Sequence, residues 1–168
     1  MANTYVKIAT VTVGGGGSAS MTLSSIPSTY TDLLLKVSGR SDYAGVQASL
    51  YIAPNGSTAN GSVRILFGSG STAASYNYAQ INIRDLSANT STASTFGNTE
   101  VYIPNYASST TYKSFSGDSV GENNATAAPA GLSAALWSNN TAISSLVLTT
   151  DGNFMQYSTA TLYGILKN

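Results

Sequence analysis

The sequence reads as all-β: an antiparallel, jelly-roll-type β-sandwich of about ten short strands, in a single domain covering residues 1–168. Three observations carry that reading. Short runs of apolar and polar residues alternate with the period of two that puts successive side chains on opposite faces of a strand. Clusters of Gly, Pro, Asn and Asp separate these runs at the close spacing of a sandwich or barrel. No stretch supports an amphipathic helix. The small apolar run at residues 125–130 contains Pro129 and abuts Gly131, which break any helix long enough to be stable.

The elements follow in order. Residues 5–13 alternate Val6 and Ile8 with Lys7, and Val11 and Val13 with Thr10 and Thr12. Four glycines, 14–17, then turn the chain, and the reading is a plain hairpin turn into a second strand at 20–23. A phosphate loop would need a following Gly-Lys-Ser/Thr, which is missing. Ile26-Pro27 opens a turn, and residues 33–40 form a strand with Leu33, Leu35 and Val37 on one face and Asp32, Lys36, Ser38 and Arg40 on the other. Residues 47–52 repeat the pattern, with Ala48, Leu50 and Ile52 inward and Gln47, Ser49 and Tyr51 outward, before the turn signal Pro54-Asn55-Gly56.

A strand at 63–67 is followed by the low-complexity run 68–75, read as an exposed loop, and by a strand at 79–84 with Ile81 and Ile83 on one face. Residues 86–94 read as loop. Two strands, 99–103 and 113–120, flank a polar tip, and Pro104 ends the first because it has no N–H for the ladder. Strands at 131–137, 143–149 and 159–166 complete the set, with Asn139-Asn140-Thr141 and Asp151-Gly152-Asn153 as the intervening hairpin signals. In the closing strand Ala160, Leu162 and Gly164 alternate with Thr161, Tyr163 and Ile165.

Composition narrows the function. Seven basic and seven acidic residues give zero net charge and a charged fraction of only 8%, about a third of the usual level. Such a surface gains little protection from charge repulsion, which points to a chain covered by partners or closed by assembly. The basic residues are scattered singly, which argues against nucleic acid as a partner. There is no cysteine and no histidine, so thiolate and imidazole chemistry are excluded. No apolar run is long enough for a membrane helix, and the first residues lack a signal-peptide pattern. The expectation is a product made in the cytoplasm without membrane insertion.

The remaining chemistry is carboxylate-based. Asp118 and Glu122 form the closest acidic pair in the best-patterned region, and with Asn123 they suggest either a glycosidase-like pair or a calcium site; the competing reading is that they cap a turn. Turn chemistry is preferred, so the chain is read as no enzyme, with no catalytic, cofactor-binding or metal-binding residue. The five Asn-x-Ser/Thr triplets, at Asn55, Asn60, Asn89, Asn124 and Asn139, are likewise read as turn asparagines. Eleven tyrosines against four phenylalanines suit broad amphipathic contacts. Tyr51, Tyr102, Tyr106, Tyr112 and Tyr163 are therefore the candidates for a subunit interface or for receptor contact by sugar stacking, with residues 106–112 as a contact loop. Trp137 is assigned to the core.

Five stretches taken together resemble a known family: residues 5–13, Ile26-Pro27-Ser28-Thr29-Tyr30-Thr31-Asp32-Leu33-Leu34-Leu35, Phe96-Gly97-Asn98-Thr99-Glu100-Val101-Tyr102-Ile103-Pro104-Asn105-Tyr106, residues 116–126, and Gln156-Tyr157-Ser158-Thr159-Ala160-Thr161-Leu162-Tyr163-Gly164-Ile165. The family is one of small structural, decoration or fibre-like virion proteins of tailed bacteriophages of aquatic bacteria, including cyanophages. The resemblance implies a virion location and a non-enzymatic structural role, and carries over no catalytic residue. With it, the sequence predicts a capsid decoration (cement) or fibre-type component that forms a homo-oligomer, in first place a homotrimer, on a major capsid or tail protein. A start at its own Met without heptad or collagen-like repeat favours a stand-alone decoration protein over a fibre tip. The alternative is a tail-fibre-like module that recognises host surface glycan, weak per site and strong by avidity.

Overall fold

Alternation along each strand leaves one face to hide, and the chain hides it by stacking two antiparallel sheets. The computed structural model describes residues 4–124 and 128–166. Their strands are β1 (Tyr5–Thr12), β2 (Ser18–Leu23), β3 (Asp32–Gly39), β4 (Gln47–Pro54), β5 (Gly61–Gly68), β6 (Ala73–Tyr78), β7 (Asn82–Ser87), β8 (Gly97–Pro104), β9 (Lys113–Val120), β10 (Ala130–Trp137), β11 (Leu146–Phe154) and β12 (Thr159–Ile165). One sheet has eight strands in the order β1-β12-β3-β8-β9-β10-β5-β6, the other four in the order β2-β11-β4-β7. The short apolar run at 125–130 falls partly outside the described residues, and its last residue, Ala130, opens β10.

The pairing is nested. β1 pairs with β12, β2 with β11, β3 with β8 and β4 with β7, all antiparallel. Two strand pairs are inserted into this wrapped hairpin: β5 and β6 between β4 and β7, β9 and β10 between β8 and β11. They meet through β10 and β5, and β9 attaches to β8, so the larger sheet extends well past the smaller one. A single apolar core fills the space between the sheets, built from Leu33, Leu35, Val37, Val101, Ile103 and Leu162 on one side and Met21, Leu50, Ile52, Leu146 and Leu148 on the other. Trp137 is buried at 2% exposure, as its sequence context predicts.

Five expectations change. The glycine run is a corner and not a hairpin, because β1 and β2 belong to different sheets. Gly17 takes a φ of 76° there, and a Cβ would sit 2.8 Å from the Phe154 carbonyl oxygen, so only glycine fits. The low-complexity run 68–75 is loop only at residues 69–72. It reverses at Ser69 to Thr72, and Ala73 already starts β6, which gives β5 its second ladder; small polar residues do not resist a strand whose Tyr76 and Tyr78 have a surface to pack on. The expected strand 79–84 accordingly starts late: residues 79–81 connect the sheets, and β7 starts at Asn82 in the other one.

Asp151-Gly152-Asn153 is not a hairpin turn but an irregular section of β11. The Asp42 carboxylate holds it by accepting from the Asn153 backbone N–H at 2.7 Å, and the chain reverses instead at Met155 to Ser158. Arg40, expected on the polar face, is buried at 6% exposure. Its guanidinium donates to the carbonyls of Thr92 (2.9 Å), Thr95 (2.8 Å) and Ser91 (3.1 Å), fastening the loop that follows β7 to β3. The turn-asparagine reading is upheld at Asn55, Asn60 and Asn124, which have φ of 52°, 61° and 55°.

Candidate functional site

The outward face of the eight-stranded sheet carries the most developed concavity. Cross-strand register lines its side chains into rows. One row runs Lys36, Glu100, Asp118, Leu132, Leu66 and Ser75 from β3 to β6, and the next runs Leu34, Tyr102, Ser116, Ala134, Arg64 and Asn77. The small Ser116 and Ala134 in the middle of the second row leave a groove of about 660 Å³ over β8, β9, β10, β5 and β6. Its apolar lining is unusually open: Leu132 is 62% exposed and Leu66, directly opposite it, 64%. Val120 and Leu136 add exposed apolar surface on the same strands.

The polar wall is ordered by partners outside the groove. Tyr102 donates its hydroxyl to Asp32 Oδ2 at 2.8 Å, while Asp32 Oδ1 accepts from the Asn105 backbone N–H at 2.9 Å. The ring is thereby fixed, and the hydrogen bond to the carboxylate pushes the tyrosine hydroxyl above its usual pKa. Lys36 Nζ sits 2.6 Å from Glu100 Oε2, which raises the lysine pKa in turn. Asp118 lies directly opposite Glu100 on the neighbouring strand, a like-charge pairing that sheets ordinarily avoid. Among the described residues its carboxylate has no ion pair and no hydrogen bond, unlike Asp32, Asp42, Glu100 and Asp151.

The five candidate tyrosines separate. Tyr102 and Tyr163 share the outward face, flanking Leu34 in one cross-strand row, and Tyr163 lines a smaller depression of about 340 Å³ with Tyr5, Lys36 and Glu100. That flanking explains why Leu34 is buried on the otherwise polar outward side of β3. Tyr51 is on the other sheet and donates its hydroxyl to Asp151 Oδ1 at 2.9 Å. Tyr112 is 60% exposed at the β8–β9 tip. Tyr106 is a correction: it is fully buried, donates its hydroxyl to the Pro27 carbonyl, and takes part in the core rather than in a contact loop. The ring closes the end of the sandwich, where the backbone carbonyl of Tyr106 also accepts from the Ile143 N–H at 3.0 Å.

Asp118 and Glu122 take different roles. Glu122 Oε1 accepts from the Asn124 backbone N–H at 2.7 Å, so it caps its own turn, while Asp118 belongs to the groove. Among the described residues no group of three His, Cys, Asp or Glu side chains is placed to hold a metal ion.

A second unusual position escaped the sequence reading. Asp85 lies in β7 with a φ of 82° and is 1% exposed. Burial pushes its carboxyl up to about 6, against the opposing pull of Arg84, whose Nε is 3.9 Å away, and of the Ser119 hydroxyl that donates at 3.3 Å. Gly131 makes room for it, since a Cβ there would lie 2.8 Å from Asp85 Oδ2; at Gly97 a Cβ would lie 2.7 Å from the Asp85 carbonyl oxygen. The carboxyl is sealed under β9 and β10, out of reach of a solvent-borne substrate. The outward turn of Leu132 and Leu136 is legible in the alternation of residues 131–137, which assigns them to the face opposite Ser133 and Trp137; no local signal marks Asp85.

Fold and groove together define an all-β, two-sheet chain with an open, mixed-polarity face. Comparison with protein-family models, with curated proteins and with solved structures finds no match.

Proposed function

We propose that the chain is a non-enzymatic structural protein of a bacteriophage virion, a capsid decoration or fibre-type component that works as a homo-oligomer seated on a major capsid or tail protein. The observation that carries this reading is the outward face of the eight-stranded sheet: Leu66, Leu132, Leu136 and Val120 are exposed together on a chain with only 8% charged residues. An apolar patch of that kind, rimmed by polar residues, marks a contact surface. The acids support it as well, since Asp32, Asp42 and Asp151 hold turns and strand ends in place instead of facing a substrate. The nested pairing of β1–β4 with β12, β11, β8 and β7 is the winding of a wrapped antiparallel hairpin, and we read it as a jelly roll, an architecture used by capsid and lectin domains. The resemblance of residues 96–106 and 156–165 to small phage virion proteins points the same way. Reconstruction of a purified particle tests the reading: repeated density for this fold on the head or tail is expected, and a particle lacking it overturns the proposal.

One observation favours a second reading, recognition of host glycan. The fixed Tyr102 ring and the unpaired Asp118 carboxylate face a groove wide enough for a sugar, offering a stacking surface beside a hydrogen-bond acceptor. A glycan array probed with the wild type, Tyr102→Ala and Asp118→Asn decides it. Signal lost in both variants supports recognition, and no wild-type signal removes it.

A further inference from the structure

The two sheets have four outer edges, and three of them are blunted. β1 carries the exposed Lys7 and a register shift between Lys7 and Ala9. On β2 the Ser18 hydroxyl occupies the edge: it donates to the Ser20 carbonyl at 2.8 Å and accepts from the Ser20 N–H at 3.4 Å. β7 is broken by a register shift and by the left-handed Asp85, and it carries Arg84. These are the devices by which sheets avoid pairing with other chains.

β6 has none of them. Its sequence, Ala-Ala-Ser-Tyr-Asn-Tyr, holds no charge and no proline, its ladder to β5 is unbroken over six residues, and it ends the eight-stranded sheet. It is also held rigidly from behind. The Arg84 guanidinium stacks on Tyr76 at 4.8 Å and on Phe67 at 5.4 Å, and donates to the Tyr78 hydroxyl at 3.1 Å. Tyr76 and Tyr78 stack on each other at 6.5 Å. An edge strand braced in this way presents its outer row of N–H and C=O groups already in place for a partner.

We propose that the partner is a second copy of this chain, joined β6 to β6 in antiparallel fashion about a two-fold axis normal to the sheet. The inference rests on the homo-oligomer reading above and names its contact. Every neighbouring pair in the eight-stranded sheet is antiparallel, and a two-fold axis supplies that relation to a strand facing itself. The strand carries no charged side chain, so self-pairing brings no like charges together. The groove adds an independent reason. It runs to the edge, where Ser75 and Asn77 of β6 form its last wall. Pairing about this axis keeps the outward faces on one side, so the second copy's Ser75 and Asn77 adjoin the first pair and two grooves become one continuous trough. The assembly is then two-fold, in place of the threefold one expected from sequence.

Light scattering and sedimentation of the isolated chain over a range of concentrations test this apart from any particle. A two-chain mass is expected, reduced to a one-chain mass by the double substitution Ser75→Lys and Asn77→Lys, with an unchanged circular-dichroism spectrum because both side chains are exposed in the single chain. Should that variant not fold, hydrogen exchange of the wild type decides: amides of residues 73–78 slow as concentration rises if β6 is the contact. A one-chain or three-chain mass for the wild type, a two-chain mass that survives the double substitution, or β6 exchange independent of concentration overturns the proposal. Absence of the protein from a particle would leave this result standing, and a monomer in solution would leave the virion reading standing.

Discussion

In β3, β8 and β12, where the smaller sheet lies opposite, the large apolar side chains point inward: Leu33, Leu35, Val37, Val101, Ile103 and Leu162 are all essentially inaccessible. In β9 and β10, which pack over β7, the inward Phe115, Ala135 and Trp137 alternate with Gly117, Ser119, Gly131 and Ser133, while Leu132 and Leu136 face outward. The inward face stays apolar along the whole sheet, and one core spans both halves. The extended half differs in interspersing small inward residues, which let Asp85 and its strand lie close beneath, and in placing apolar surface outward where another molecule can reach it.

The widest separation between the halves is expected from core truncation. Leu35→Ala, which removes a side chain paired with Leu162 across the β3–β12 ladder, should lower unfolding free energy by about 2–5 kcal/mol in chemical denaturation. Next comes the buried acid. With its carboxyl raised from 3.8 to about 6, Asp85 keeps in the folded chain a proton that the unfolded chain has already released. Stability is therefore greatest below the unfolded value and falls as pH rises through about 4 to 6, by on the order of 3 kcal/mol, and is flat above. Denaturation of wild type and Asp85→Asn across that range checks this, the variant losing the slope. A wild-type stability that climbs with pH in this window would contradict the burial of the charge.

Tyr106→Phe should cost about 1 kcal/mol, the net worth of its hydrogen bond to the Pro27 carbonyl, without altering any surface contact. Tyr106→Ala would empty part of the core, so it is no probe of receptor binding. The smallest effect belongs to the extended half: Leu132→Ser should change stability by no more than about 0.5 kcal/mol, because the side chain is 62% exposed. Little change in the chemical-denaturation midpoint is its expected signature.

Most of the strand inventory was legible because alternation is a local property: Ala48, Leu50 and Ile52 in β4, and Ala160, Leu162 and Gly164 in β12, are buried as their spacing predicts. What alternation cannot supply is which strand meets which. The glycine run looked like a hairpin since its residues suit any tight reversal, and only the sheet assignment of β2 distinguishes a corner. Asp151-Gly152-Asn153 has hairpin composition, yet Asp42, more than a hundred residues away in sequence, captures it. Tyr106 looked like a tip residue because it follows Pro104-Asn105, and nothing local indicates that Pro27 waits for its hydroxyl. The groove depends on five strands in register, and Asp85 on Gly97 of β8 and Gly131 of β10, so neither could be seen from neighbouring residues. The separate roles of Asp118 and Glu122 became visible once one was seen in the sheet and the other past its end.

The nesting of first strand with last also governs how the molecule comes into being. Thr10 and Thr161, hydroxyls 3.1 Å apart, are separated by 151 positions along the chain. During synthesis β1 and β2 emerge without their ladders and must wait for β11 and β12, made well over a hundred residues later, before either can be paired. A topology so dominated by distant contacts folds slowly, in milliseconds to seconds or longer. Over that interval the uncharged β6 strand and the early strands stand open to other copies of the chain, a hazard set by folding time and not by the stability of the finished fold.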